Sequence, residues 1–98
     1  MWVLAARFDL HVPASASLKD RRRVVRPVVE GLRSRFNVAV AEVAGQDTWQ
    51  RVSVGVAVVG SDSRVLAVAM RKIERFVVAH PELDLLDVTE RLYQTDDE

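Results

Sequence analysis

The chain has 98 residues and no cysteine, which excludes disulfide frameworks and thiolate chemistry. Glycine is scarce, with 4 in all. None falls between Met1 and Glu30, so the flexible phosphate-cradling loop of nucleotide-binding or acylphosphatase-type enzymes is missing from the first strand-to-helix junction. Aromatic residues make up only 6%, and the Lys/Arg-Gly-Phe-type run of an RNA-recognition motif is absent. His11 and His80 each lack a second histidine at ligand spacing, so no metal and no cofactor are expected. His11 reads as a surface strand residue and His80 as a cation at a helix C-terminus. No nucleophile–base constellation is visible, and no enzyme is expected. The lone carboxylate of Glu42 reads as an ion-pair partner of Arg51 or Lys19 rather than a general base; a deep pocket joining Glu42, His11 and Arg51 would reverse that expectation. No stretch approaches the roughly 20 apolar residues that span a bilayer. The N-terminus also lacks a leader pattern, so a cytoplasmic protein without a membrane partner is expected.

What is present is an apolar content of 49% beside 29% charged residues, the balance of one globular domain covering residues 1–98. The charge is zero overall but uneven. Residues 1–51 hold nine Lys/Arg against five Asp/Glu, and residues 52–98 hold five against nine. Lys19, Arg21, Arg22, Arg23 and Arg26 crowd into eight residues. Either the molecule has a basic side for an anionic partner, or its halves neutralise each other on folding.

Apolar and polar positions alternate from Trp2 to Val12, which predicts a half-buried strand with Leu4, Ala6, Phe8, Leu10 and Val12 facing the core and Val3, Ala5, Arg7, Asp9 and His11 facing away. Ser17 with Asp20 resembles a capping box, opening a helix from Leu18 to Arg35 with Leu18, Val25, Val29, Leu32 and Phe36 as its buried stripe and Pro27 as a kink. A second strand is predicted over 37–43 with Val38 and Val40 inward, a hairpin loop over 44–48, and a third strand over 49–59 with Val52, Val54, Val56 and Val58 inward. A second helix over 64–79 carries Leu66, Ala69, Ile73, Phe76 and Val77 inward, capped by Ser61, Asp62 or Ser63 and stopped at His80-Pro81. A last strand over 83–93 leads to a frayed acidic end, 95–98. The order βαββαβ predicts an α+β, ferredoxin-like domain: a four-stranded antiparallel sheet with two helices on one face. Strands one and three are expected side by side at its centre, as parallel neighbours.

Three segments, Ser17-Leu18-Lys19-Asp20-Arg21-Arg22, Arg35-Phe36-Asn37-Val38-Ala39-Val40-Ala41-Glu42 and Asp47-Thr48-Trp49-Gln50-Arg51, together resemble the YlxP-like family of small bacterial proteins, a domain of unknown function. The family usually has Glu-Lys-Arg where this chain has Asp20-Arg21-Arg22. The resemblance implies a ferredoxin-like fold. Members are encoded beside translation-initiation and ribosome-maturation factors, which implies a role near RNA or the ribosome and names no catalytic residue.

Two surfaces follow. On a helical wheel Lys19, Arg22, Arg23, Arg26 and Arg33 share one flank, broken by Glu30, and suit a phosphate backbone of RNA or a ribosomal subunit; the alternative is a solvated face paired with the acidic second half. On the uncovered sheet face Val3, Ala5, Ser53, Gly55 and Ala57 make an apolar middle, with Arg7, Trp49 and Arg51 toward one end. That face suits a homodimer or a docked protein, with Trp49 and Arg51 at the interface; stacking of an unpaired base on Trp49 is the competing use. The basic helix flank and the Trp49–Arg51 end are expected to lie on opposite faces, as separate surfaces.

Overall fold

A computed structural model describes residues 1–45 and 48–95. The expected hairpin position Asp47 and the acidic end 96–98 lie outside the described residues. Strand β1 (Trp2–His11) is followed by helix α1 (Leu18–Arg35), β2 (Ala39–Ala44), β3 (Arg51–Gly60), α2 (Ser63–Val78) and β4 (Asp84–Gln94). The sheet order is β2-β3-β1-β4, and every neighbouring pair is antiparallel. The ferredoxin-like βαββαβ expectation therefore holds, but the parallel pairing of the two central strands does not. Crossing over through α1 returns the chain in β2 with the direction of β1. The β2–β3 hairpin then reverses it, so β3 must oppose β1.

Alternation along β1 and β3 puts Leu4, Ala6, Phe8, Leu10, Val52, Val54, Val56 and Val58 beneath the helices, where they meet Val25, Val28, Leu32, Met70, Ile73 and Val77. At about 25 cal/mol per Å2 of apolar surface removed from water, this contiguous cluster is the main term holding the layers together. Helix α1 starts where the capping signal places it. The Ser17 hydroxyl accepts from the Asp20 amide at 3.1 Å, and the Asp20 carboxylate accepts from the Ala16 amide at 3.1 Å, one residue earlier than a strict capping box. The helix runs on through Pro27 to Arg35.

The buried stripe of α1 differs from the expected one at its first turn. Leu18 is 37% exposed, whereas Arg21 is 4% exposed and joins Val24, Val25, Val28, Val29 and Leu32. In α2, Met70 joins Leu66, Ile73 and Val77 in the core, while Ala69 and Phe76 are half-buried. Asp62 is its cap, accepting from the Arg64 amide at 2.9 Å. In β2 only Val40 is fully buried, and Val38 is half-buried ahead of the strand. A register shift between Glu42 and Ala44 bulges β2. It lays Val43 over Gly55, where a Cβ would meet Val43 Cγ1 at 2.9 Å, so the close approach requires a glycine.

Candidate functional site

The basic run at the start of α1 divides by direction. Arg21 turns inward. Its Nη1 donates to the carbonyls of Gly45, Thr48 and Arg51, and its Nη2 lies 3.5 Å from Glu42 Oε1. Among the described residues, its Nε has no hydrogen-bond partner. Arg21 thus clamps the ends of the hairpin loop to the first turn of α1. Glu42 is an ion-pair partner, as expected, but of Arg21 rather than Arg51 or Lys19. Its register partner is Val54, on the helix side of the sheet, while His11 and Arg51 pair across the opposite face. The three candidates for a catalytic pocket are not brought together.

Arg33 is also engaged: Nη1 meets Glu30 at 2.6 Å and Nη2 donates to the Val40 carbonyl on the outer edge of β2 at 3.0 Å. Arg23 reaches Glu82 at 3.9 Å. Lys19, Arg22 and Arg26 face solvent and, with Arg23, Asp20 and Pro27, line an open depression. Among the described residues, none of these three cations pairs with a carboxylate. Four of the five expected flank residues therefore share one exposed stripe. Arg33 holds the sheet edge instead.

The segment carrying Trp49 lies beside this helix start rather than apart from it. Thr48 is held by Arg21 through its carbonyl, and its hydroxyl accepts from the Arg51 amide at 3.0 Å. Gln50 Nε2 donates to the Ser15 carbonyl at 3.3 Å, and the Val12 amide donates to the Gln50 carbonyl at 2.8 Å. Trp49, 50% exposed, is thus fastened through both neighbours to the segment that leads into α1. The backbone around Trp49 and the start of the basic run are thus neighbours through Arg21, which turns away from the exposed flank. No local periodicity reports a buried arginine that bridges 24 or more residues.

On the uncovered face, Ala5 pairs with Ala57, Arg7 with Gly55, Asp9 with Ser53 and His11 with Arg51, so the expected residues of β1 and β3 do share one surface. Trp49 precedes β3 rather than opening it. Ser53 is buried and donates to Asp9 at 2.5 Å, while Arg7 Nε donates to the same carboxylate oxygen at 3.0 Å. These bonds, Ser53 first, then the nearby charges of Arg7 and Arg51, hold the Asp9 carboxyl below its ordinary 3.8 against a desolvation that raises it. His11 Nδ1 lies 3.7 Å from Asp84. The apolar half is wider than the sequence suggested. Ala39 and Ala41 pair beside Ala57 and Gly55, Tyr93 pairs with Val3, and Val43 covers Gly55. The run of small residues in β2 was the available signal.

The architecture defines a ferredoxin-like α+β domain. The chain belongs to the family described as "Protein of unknown function (DUF503)", whose model matches residues 3–90. It is 33% identical over 70 residues to "Uncharacterized protein YlxP" of Bacillus subtilis (strain 168), covering 71% of this chain and 76% of that one. Among solved structures it resembles SnoaB, a cofactor-independent oxygenase from Streptomyces nogalater, at 12% identity and a TM-score of 0.56 over 100% of both chains. That likeness is one of fold. No helix among the described residues is long and apolar enough to cross a membrane.

Proposed function

We propose that this protein is a non-enzymatic accessory factor that associates with RNA or the ribosome, using the outer stripe of α1 formed by Lys19, Arg22, Arg23 and Arg26. One observation carries the reading: in a chain of zero net charge, three of these cations meet solvent and, among the described residues, form no ion pair with a carboxylate. Cations concentrated on the first turns of a helix add to the positive end of its dipole and suit closely spaced phosphates. Contact of this kind is weakly sequence-specific and releases counterions. Binding of wild type to RNA or ribosomal subunits, measured by fluorescence anisotropy, should fall steeply with salt. Replacing Lys19, Arg22 and Arg26 by Ala should flatten the log–log salt slope by about 2 to 3. Equal binding by the triple variant at every salt concentration would overturn the reading.

A second reading is a homodimer, or a docked protein, on the uncovered sheet face. Its support is the continuous apolar middle formed by Val3, Ala5, Ala41, Val43 and Ala57, extended by Val59 at 60% exposed. This surface and the α1 stripe lie on opposite sides of the sheet, so one use does not exclude the other.

A further inference from the structure

Trp49 is unusual among the six aromatic residues. Phe8 is in the core, Phe36 and Phe76 pack edge to face at 6.1 Å, Trp2 packs against the core, and Tyr93 lies on the β4 edge strand. Trp49 alone projects from a loop that is tied on both sides to the beginning of the basic helix. Arg21 is the main tie. It is almost fully buried and occupies the carbonyls of Gly45, Thr48 and Arg51. The residues on either side of Trp49 are thus tied to Ser15 and to Arg21 of the first helical turn, the turn that also carries Lys19 and leads into Arg22.

We infer that Trp49 and the start of α1 form one site for unpaired, single-stranded RNA, in which the indole stacks a base while Lys19 and Arg22 take the neighbouring phosphates. The inference rests on the RNA reading above and narrows its substrate class. A duplex offers phosphates alone, since its bases are already paired and stacked, and would leave the indole without a partner. An exposed aromatic beside cations is the arrangement that gains from a splayed base, and it does so without reading sequence.

The test uses the full chain carrying Trp2→Phe, so that Trp49 is the sole tryptophan. The probes are an unstructured oligouridine and a blunt RNA duplex of equal nucleotide count. Oligouridine should quench Trp49 fluorescence saturably and bind at least several-fold tighter than the duplex. Trp49→Ala should weaken oligouridine binding about tenfold with an unchanged salt slope, and Trp49→Phe should recover most of that loss. Quenching is read on a folded protein, so instability of the alanine variant does not blur the result. If both RNAs bind equally and Trp49→Ala is silent, the stacking site is wrong while the phosphate reading stands. If neither RNA binds, both fall.

Discussion

Arg21 shows what a single side chain contributes here that its neighbours do not. Arginine's planar fork reaches several acceptors at once, whereas a lysine ammonium is a point charge on a flexible stem. Arg21→Lys should therefore lower the unfolding free energy by about 2 kcal/mol or more, because hydrogen bonds to a charged group are lost and carbonyls are left unsatisfied. Arg22→Ala, one residue along and exposed, should stay within about 0.5 kcal/mol. Urea unfolding of the two variants compares them directly, and equal stability would refute the clamp. Ser53 and Asp9 make a second residue-scale case. The folded carboxyl titrates below its ordinary 3.8, so its stabilising contribution is present above that value and is lost as pH falls through the lower folded one. Ser53→Ala removes the first cause of the shift. The stability gap between this variant and wild type should be widest near neutrality and should narrow below pH 3.8, followed by urea melts across that window.

Between elements, the helices pack tightly at Gly31, where a Cβ would meet Phe76 Cζ at 2.5 Å. Phe76 has little room to retreat, since it packs edge to face on both Phe36 and His80 and lies under the Arg35 guanidinium at 5.1 Å. Gly31→Leu should therefore cost about 1 to 3 kcal/mol by overpacking, despite leucine's better helix propensity. A melting temperature at or above that of wild type would contradict this packing. The two sheet edges are protected differently. β2 is short, bulged, and has its Val40 carbonyl occupied by Arg33, while β4 carries Asp84, Asp87, Glu90 and Arg91 along its length. Bulges and charges of this kind discourage edge-to-edge aggregation.

Across the whole molecule, the uneven charge of the chain becomes an uneven charge in space. α1 packs on β2, while Asp84, Asp87 and Glu90 of the second half lie on β4, at the opposite end of the sheet order. Among the described residues, Arg23 is the one member of the basic run that reaches a carboxylate of the acidic half, Glu82. Lys19, Arg22 and Arg26 form no ion pair with the acidic half among the described residues, and on that distribution the proposed anion contact rests. The uncovered sheet face is the other whole-molecule feature. Ala57→Glu places a charge in its apolar middle and should move a dimer to the monomer position on a sizing column, with unchanged far-ultraviolet circular dichroism. It should leave the salt slope for RNA unaltered, because sites this far apart act additively. An unchanged elution volume would count against the sheet-face assembly.

The sequence by itself determined the elements, the inward faces of β1 and β3, the N-cap of α1 and the family. Each of these follows from a repeat or a spacing that the chain carries locally: period two from Trp2 to Val12, helical spacing from Val25 to Leu32, and Ser17 followed by Asp20. The grouping of Lys19, Arg22, Arg23 and Arg26 was legible for the same reason. What only the tertiary structure decided is the direction of β1 against β3, the partner of Glu42, the inward turn of Arg21 and the place of Trp49 beside the basic helix. The helical wheel does put Arg21 on the side of Val25 and Leu32, but an arginine there has no evident partner until a loop 24 or more residues away presents its carbonyls. A buried charge is tolerated only where distant backbone satisfies it, and that long-range match has no periodic trace in the sequence.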